Sequence, residues 1–232
     1  QERRRRKTPK PDKKEAETRM MDERVKSARG RKISSTLWLK RQLNDPYVKM
    51  ANMEGYRSRA AYKLKELDEK FGLIKKNMLV VDLGAAPGGW SQIAIELGVE
   101  RVVGIDILPT EALAGAEFIE MDFMADNAPA ALLKLLEGNK PDMVMSDLAA
   151  NTTGHRQTDH LRTVGLVEAA ADFAMQVLKP GGSFTTKVFQ GGAEKTLLDT
   201  LKLRFETVKH AKPNASRAGS PEMYLVAQGF KG

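Results

Sequence analysis

The chain has 232 residues, a length that fits one ordinary domain with an appendage and allows a substantial core. It contains no cysteine, which excludes disulfides, thiolate zinc sites and a cysteine nucleophile. No apolar run approaches the roughly 18 residues of a membrane helix, and the basic start is not followed by the apolar stretch of a signal peptide. We therefore expect a cytoplasmic protein without a membrane partner.

Positive charge is concentrated at the N-terminus. Residues 1–32 carry 14 Lys and Arg against 6 Asp and Glu, a net charge of +8 that equals the net charge of the whole chain. Residues 33–76 add a net charge of +5, and residues 77–232 contribute −5. Blocks of Lys and Arg neutralise phosphates and release counterions, so this distribution favours a nucleic-acid partner over a merely solubilising tail.

Two basic segments precede the predicted catalytic domain. Residues 1–33 lack apolar periodicity and are expected to form a disordered arm. Residues 34–76 are expected to be an N-terminal extension and helix that contribute to RNA binding. Within them, Pro46 breaks any helix, and Ser58 is the expected N-cap of a helix through about Lys70. The core-facing residues of that helix have helical spacing: Ala60, Leu64, Leu67 and Phe71.

Residues 77–232 alternate between predicted strands and helices. The predicted strands are 78–83, 101–107, 117–121, 142–147, 183–189, 207–211 and 223–230. The predicted helices are 89–97, 128–137, 159–178 and 192–205. This alternation indicates an α/β fold with a Rossmann-like, doubly wound sheet of seven strands, mostly parallel. Because the last two strands follow the final helix closely, they are expected to form a C-terminal hairpin that inserts an antiparallel strand.

A glycine-rich loop follows the first predicted strand. In V-V-D-L-G-A-A-P-G-G-W-S-Q (80–92), Gly84, Ala86 and Gly89 stand where a dinucleotide-binding loop would have G-x-G-x-x-G. Such a loop holds a pyrophosphate with backbone N–H groups, and Pro87 removes one of these donors. The sequence of the loop therefore argues against a dinucleotide.

Acidic residues crowd the same edge of the predicted sheet. Asp82 precedes the loop, and Asp106 and Asp122 stand at the ends of the next two strands. Carboxylates suit a cationic ligand with ribose hydroxyls, and an acid about 20 residues after a glycine loop suits a ribose diol. S-adenosylmethionine has a sulfonium cation, an amino acid, a ribose and an adenine but no phosphate. It is therefore the predicted cofactor.

Three later stretches place charged residues at or within apolar strands. Asp147 follows a buried strand, directly before a polar loop that contains Asn151 and Gly154. Lys187 lies inside an apolar run, where a lysine is costly unless it is paired or functional. Glu222 enters the last strand. The three stretches are M-V-M-S-D-L-A-A-N-T-T-G (143–154), F-T-T-K-V-F-Q-G-G (184–192) and S-R-A-G-S-P-E-M-Y-L-V (216–226).

Five motifs occur in a recognisable order: Y-R-S-R-A-A-Y-K-L, V-D-L-G-A-A-P-G-G-W-S-Q, S-D-L-A-A-N-T-T-G, T-K-V-F-Q-G and S-R-A-G-S-P-E-M-Y. From about residue 38 to the end, the chain resembles the FtsJ (RrmJ) family of bacterial ribosomal RNA 2′-O-methyltransferases, which methylate a uridine ribose in the A-loop of 23S rRNA. The resemblance implies a catalytic tetrad: Lys63, Asp147, Lys187 and Glu222. It also implies cofactor contacts at Gly88, Trp90, Asp106, Asp122 and Asp147. Ala150 departs from the family, which commonly has proline there.

The implied tetrad suits ribose methylation on chemical grounds. A ribose hydroxyl is a poor nucleophile that must meet the sulfonium methyl in line, so it has to be positioned and deprotonated. Lys187 is the candidate base, which acts only as the neutral amine. An equally defensible role is to steer the hydroxyl while its proton leaves late. No metal is predicted, because methyl transfer has no phosphoryl charge to neutralise, and His155 and His160 are expected in a surface loop.

The predicted partner is 23S rRNA, as part of the 50S subunit rather than as naked RNA, and the predicted state is a monomer. The short basic arm and the lack of a separate RNA-binding domain favour a preformed RNA surface. Two alternatives remain at this stage. One is a 2′-O-methyltransferase for another RNA, such as tRNA or a cap ribose. The other is a noncatalytic ribosome-associated RNA-binding protein, against which the presence of all four tetrad residues argues.

Overall fold

The computed structural model describes residues 33–150, 155–189, 195–217 and 219–232. The chain divides into two compact units, residues 1–54 and 55–232. Nearly all of the predicted arm, residues 1–33, lies outside the described residues, as do Asn151 and Gly154 of the predicted polar loop.

The described part of the N-terminal unit consists of two helices. Helix α1 spans Ile33–Leu43 and helix α2 spans Pro46–Glu54. Pro46 stands in the first turn of α2, where its missing N–H costs no helical hydrogen bond. The Asp45 carboxylate accepts a hydrogen bond from the N–H of Tyr47 at 3.0 Å and so caps α2. The predicted helix break at Pro46 is confirmed, and a helix lies on each side of it.

The C-terminal unit is built on one sheet of seven strands. The strands are β1 (Leu79–Leu83), β2 (Arg101–Asp106), β3 (Ala116–Glu120), β4 (Met143–Ser146), β5 (Ser183–Phe189), β6 (Phe205–Ala211) and β7 (Glu222–Phe230). Their order is β3-β2-β1-β4-β5-β7-β6. Strands β1 to β5 are parallel, and β7 pairs antiparallel with both β5 and β6. The predicted α/β class, the seven strands and the inserted antiparallel strand are confirmed.

Within the described residues, five helices flank this sheet: α3 (Ala60–Phe71), α4 (Gly89–Glu96), α5 (Ala128–Leu136), α6 (Arg156–Val177) and α7 (Lys195–Arg204). Helix α6 begins three residues before the predicted start. His160 lies exposed on this helix, within the predicted helical range 159–178 and not in the surface loop expected for the two histidines. The first residues of the predicted helix 192–205 lie outside the described residues, and the described helix begins at Lys195.

Each face of the sheet has its own apolar core. Side chains of α5, α6 and α7 pack on one face, and side chains of α3 and α4 pack on the other. On α3, Leu64 and Leu67 are almost completely buried, and burying each leucine contributes about 1.5–3 kcal/mol. Because this stripe is buried against the sheet, α3 belongs to the C-terminal unit, which starts at Gly55. Composition alone places the boundary between residues 76 and 77.

Ser58 is not the N-cap of α3, so that prediction is wrong. The helix begins at Ala60, and Arg59 occupies the cap position without a side-chain cap. The Ser58 hydroxyl is buried and has no hydrogen-bond partner within the described part of the chain. It lies against the start of α4, since a Cβ on Gly89 would stand 2.4 Å from Ser58 Oγ. Packing of α3 on α4 thus displaces the serine from its capping position.

Candidate active site

The backbone N–H groups of the glycine loop between β1 and α4 donate hydrogen bonds within the protein. The N–H groups of Gly84 and Ala85 donate to the Ile105 carbonyl at 2.9 and 3.1 Å. The N–H of Ala86 donates to Asp106 Oδ2 at 2.9 Å, and that of Gly88 to the Ala85 carbonyl at 2.6 Å. With proline at position 87, residues 84–88 offer no free N–H to a phosphate. The structure thus agrees with the sequence in disfavouring a dinucleotide.

Two glycines let this loop approach its neighbours closely. Gly84 has a φ of +81°, and a Cβ there would lie 2.9 Å from the N atom of Leu148, after β4. Gly88 has a φ of +105°, and a Cβ there would lie 2.7 Å from Arg57 Nη1. Any other residue at either position would have a strained backbone. At Gly84 its Cβ would also collide with the backbone of Leu148, whereas at Gly88 it would meet the end of the flexible Arg57 side chain. The two glycines therefore hold the loop against the end of β4 and the start of α3.

A cavity of about 590 Å³ opens beside the loop, at the carboxyl ends of the parallel strands. Ligands of open α/β sheets bind at this edge. Three carboxylates line the cavity: Asp106, Asp122 and Asp147. Its apolar lining includes exposed side chains at the mouth, namely Ile107, Leu108 and Met124. This lining suits a partly apolar ligand that carries positive charge and hydroxyl groups.

The acids of the first strands do not all reach this cavity. Asp106 lines the cavity, and its Oδ1 accepts a hydrogen bond from the N–H of Leu108 at 2.9 Å. Asp122 Oδ1 accepts the N–H of Met124 at 2.9 Å. Asp82, by contrast, is completely buried and accepts the Ser91 hydroxyl at 2.6 Å. Asp82 is therefore a core residue under α4, and the expectation that it contributes to ligand binding is wrong.

Burial raises the pKa of Asp82 to about 7. The charges of Asp147 and Asp106 raise the pKa further, whereas the Ser91 hydrogen bond lowers it. Desolvation is the dominant cause, since a carboxylate in an apolar interior loses its hydration.

Gly88 and Trp90 are not among the residues that line the cavity. Gly88 is the N-cap of α4. The Trp90 side chain is only 3% exposed and packs between α3 and the sheet. Its indole N–H donates to the Ala60 carbonyl at 2.9 Å, and its ring lies 5.6 Å from that of Tyr224. The Trp90 side chain thus connects α3 to the sheet.

Asp147 and Lys187 meet because β4 and β5 are parallel neighbours. Ser146 pairs with Thr186, so the next residue of each strand lies at the same edge. Lys187 Nζ lies 3.1 Å from Asp147 Oδ1 and donates to the Asp147 carbonyl at 2.8 Å. The Lys187 side chain is only 8% exposed, so the pair is largely shielded from solvent. This satisfies the sequence expectation that a lysine in an apolar strand must be paired.

Lys63 and Glu222 form the second ion pair of the site. Lys63 projects from α3 and Glu222 begins β7, and Nζ lies 2.8 Å from Oε1. Their side chains are 11% and 15% exposed, so this pair is also sheltered. All four residues of the implied tetrad are thereby brought together, each charge next to an opposite charge.

Tyr224 joins the two ion pairs and was missed from the sequence. Its hydroxyl donates to Asp147 Oδ1 at 2.7 Å and lies 3.4 Å from Glu222 Oε1. Tyr224 is also the register partner of Lys187 across β5 and β7. Side chains two apart on a strand share a face, so the assignment of Glu222 already pointed to Tyr224.

The buried network shifts two pKa values in opposite directions. Burial alone would raise the pKa of Asp147, but Lys187, Lys63 and the Tyr224 hydroxyl together lower it below its usual value. Burial raises the pKa of Tyr224 well above its usual value, and the carboxylates of Asp147 and Glu222 raise it further. The two shifts favour the ionised form of Asp147 and the protonated, hydrogen-bond-donating form of Tyr224.

Some cations of the predicted RNA-binding extension serve the fold. Arg57 donates to the carbonyls of Glu111 and Ala112, each at 2.7 Å, and so fastens the β2–β3 connection. Arg59 donates to the Ala215 carbonyl. With Lys63 in the tetrad, these side chains are not available to grip phosphates. Lys70, Lys75 and Lys76 are exposed.

A parallel sheet with β7 inserted antiparallel before β6, and an acid-lined cavity at its carboxyl edge, defines a Rossmann-like methyltransferase. Sequence comparison specifies the family. The sequence model of the FtsJ-like methyltransferases matches residues 56–230. The chain belongs to this family, in agreement with the resemblance in its motifs.

Two relatives are similar along most of their length, and both are named ribosomal RNA large subunit methyltransferase E. The protein of Sphingopyxis alaskensis is 65% identical over 210 residues, which cover 90% of this chain and 91% of the relative. That of Novosphingobium aromaticivorans is 63% identical over 211 residues, which cover 90% and 95%.

A solved structure of a protein assigned as a ribosomal RNA methyltransferase of Plasmodium falciparum superposes with a TM-score of 0.67. It is 34% identical, and the match covers 76% of this chain and all of that one.

No helix in the described ranges is long and apolar enough to cross a membrane.

Proposed function

We propose that this protein transfers a methyl group from S-adenosylmethionine to the 2′-oxygen of a uridine ribose in the A-loop of 23S rRNA. The observation that carries this proposal is the paired tetrad beside the acid-lined cavity. An arrangement of two lysines and two acids suits a hydroxyl that must be held and deprotonated. The names of the two bacterial relatives support a ribosomal RNA substrate.

The residues of the cavity fit S-adenosylmethionine, which supplies an electrophilic methyl group on a sulfonium cation. Asp106 would hold the ribose hydroxyls, and Asp122 and Asp147 would complete the contacts. The family resemblance adds Gly88 and Trp90 to the proposed contacts, and since neither residue lines the cavity, they would act by supporting the loop beside it. Residues 84–88 have no free N–H for a phosphate. This suits S-adenosylmethionine, which carries no phosphate group.

The tetrad would hold the ribose hydroxyl in line with the methyl group. Lys187 has two acceptors on Asp147, so its Nζ is fixed before any substrate arrives. As the neutral amine, after loss of its own proton, it would take the proton of the hydroxyl. As the ammonium it would instead orient the hydroxyl while the proton leaves late to solvent. Lys63 and Glu222 would help to position the ribose. Holding the reactants in place supplies much of the rate acceleration in a reaction of this kind.

The proposed substrate is the assembled 50S subunit, and the protein would act on it as a monomer in the cytoplasm, where bacterial ribosomes assemble. The excess of positive charge in residues 1–76 supports contact with RNA phosphates. The structural use of Arg57 and Arg59 leaves the exposed lysines and residues 1–32 to provide it.

A methylation assay tests the proposal. The protein is incubated with methyl-labelled S-adenosylmethionine and, in separate reactions, with naked 23S rRNA, 50S subunits, tRNA or capped RNA, each from a source that lacks the modification. We expect label in the 50S subunit, at a single A-loop ribose located by primer extension. Label in tRNA or on a cap would instead indicate a different RNA substrate. Binding to the subunit without any transfer would indicate a noncatalytic protein.

A further inference from the structure

The loop between β6 and β7, residues 212–221, is fastened to helix α3. The Glu66 carboxylate accepts the backbone N–H groups of Asn214 and Ala215, the latter at 3.1 Å. Arg59, at the other end of the same helix face, donates to the Ala215 carbonyl. Ala215 is completely buried. Its backbone N–H is bonded to Glu66 of α3, and its carbonyl is bonded to Arg59 at the N-cap of the same helix. We call Glu66, Arg59 and Ala215 the loop clamp.

The residue after the clamp reaches into the tetrad. Ser216 is 4% exposed, and its hydroxyl donates to Glu222 Oε1 at 2.8 Å. The same oxygen lies 2.8 Å from Lys63 Nζ and 3.4 Å from the Tyr224 hydroxyl. A carboxylate held by one flexible lysine can rotate, whereas a second donor on a fixed backbone defines its orientation. Ser216 therefore sets the direction in which Glu222 presents Oε1.

Clamp and tetrad share one rigid support. Arg59, Lys63 and Glu66 follow one another at intervals of four and three residues, so they lie along one face of α3. That face contacts the loop at both of its ends and the tetrad in the middle. The geometry of the loop and the geometry of the Lys63–Glu222 pair are therefore set together by this helix.

We propose that Ser216 and Glu66 are positioning residues for methyl transfer. Glu66 fixes the position of the loop. Because Ser216 belongs to that loop and donates to Glu222 Oε1, it holds this oxygen towards Lys63. The catalytic part of this inference rests on the proposed function, because it requires that the tetrad acts on the substrate. The loop clamp itself can be measured without turnover.

The first test removes the Ser216 hydroxyl. Single-turnover methyl transfer is measured with saturating cofactor and 50S subunits for the wild type, Ser216→Ala and Ser216→Thr. We expect the alanine variant to react about tenfold more slowly, because a hydrogen bond to a charged group is lost. The threonine variant should recover most of the rate, and cofactor Kd should stay within twofold in both. A wild-type rate for Ser216→Ala, or an equally slow Ser216→Thr, would overturn the proposal.

The second test compares Glu66→Gln with Glu69→Gln, a matched change at an exposed position of the same helix. An amide accepts only one of the two N–H groups well. We therefore expect at least tenfold faster hydrogen exchange at Asn214 and Ala215, and slower methyl transfer, in Glu66→Gln alone. Equal exchange in the two variants would overturn the clamp. If the wild type transfers no methyl group, the proposed function fails, and the exchange comparison still decides whether the clamp exists.

Discussion

The cavity and the tetrad, at the same edge of the sheet, hold their charged groups in different ways. In the cavity, beside β2 and β3, Asp106 and Asp122 accept hydrogen bonds from backbone N–H groups of loops, and one of the donors to Asp106 is Ala86 of the glycine loop. In the tetrad, beside β5 and β7, each acid is paired with a lysine that is about nine-tenths buried. Loop acids have spare acceptor capacity for a ligand, whereas paired charges mainly fix one another. The cavity is therefore suited to binding and the tetrad to turnover.

The largest effect is expected in the tetrad, from Lys187→Ala. Loss of the group that fixes or deprotonates the hydroxyl should lower kcat by about a thousandfold, while cofactor Kd changes only a few-fold. Single-turnover assays and calorimetry measure the two quantities, and thermal unfolding checks that the variant is folded. Retained turnover would contradict the role assigned to Lys187. Lys187→Arg separates the two candidate roles, because arginine can orient a hydroxyl but cannot act as a base.

In the cavity, a substitution is expected to change cofactor Kd more than kcat. Asp106→Asn removes a charge and sets an amide NH₂ against one of two backbone N–H donors. We expect cofactor Kd to rise about 10- to 100-fold, with kcat at saturating cofactor changed much less. Calorimetry measures Kd, and Asp126→Asn, an exposed acid outside the cavity, is the matched control. A fall in kcat with unchanged Kd would erase the difference between the two regions.

Tyr224→Phe tests whether the bridge between the two ion pairs matters. The ring and its packing on Trp90 remain, but Asp147 loses a hydrogen bond of 2.7 Å. We expect kcat to fall about tenfold with little change in cofactor Kd. Tyr56→Phe is the control, since within the described part of the chain that hydroxyl bonds only to Glu96 and Lys65, which lie outside the tetrad. Equal kcat values in the two variants would show that the bridge is dispensable.

Asp82 belongs to neither region, and Asp82→Asn should have the smallest effect on turnover. Its folded pKa is about 7, against a usual value of 3.8. Between these values the unfolded chain has lost the proton and the folded protein retains it. The free energy of unfolding therefore falls as pH rises through this window, by about 1.4 kcal/mol per unit. Above about pH 7 this contribution is constant.

Urea denaturation at pH 5 and pH 7.5 measures the effect of Asp82. An asparagine side chain cannot ionise, so the Asp82→Asn variant should lose less stability than the wild type between the two conditions. Its amide oxygen can still accept the Ser91 hydroxyl. The same loss of stability in both proteins would show that Asp82 does not titrate in this range.

The sequence predicted the architecture, and it marked Asp147, Lys187 and Glu222, because these features leave local signals, whereas Lys63 joined the predicted tetrad only through the family resemblance. Alternating apolar segments define the doubly wound sheet, and charged residues at strand ends or inside apolar runs stand out. Lys187 was conspicuous because a lysine in a buried strand requires a partner. Its partner Asp147 was placed beside it by the parallel register.

The positions of Asp82 and Tyr224 depend on which face of the sheet their side chains occupy. In a strand that is buried on both faces, the apolar pattern does not reveal this. Asp82 was expected in the ligand site and lies under α4, because alternate residues of β1 face opposite cores. Tyr224 was missed because a tyrosine in an apolar strand is typical of a core. Ser58 has the sequence of a cap, but tertiary packing against Gly89 determines its position.

The self-contained hydrogen bonding of the glycine loop has a consequence for selectivity in the cell. ATP, NAD and related nucleotides are abundant and share an adenosine with S-adenosylmethionine. The loop offers the phosphates of these nucleotides no free N–H from residue 84 to residue 88. Asp106, Asp122 and Asp147 line the cavity and repel phosphates, and Arg162 is a cation in the same lining. For the proposed cofactor site we therefore expect weaker binding of ATP and NAD than of S-adenosylmethionine.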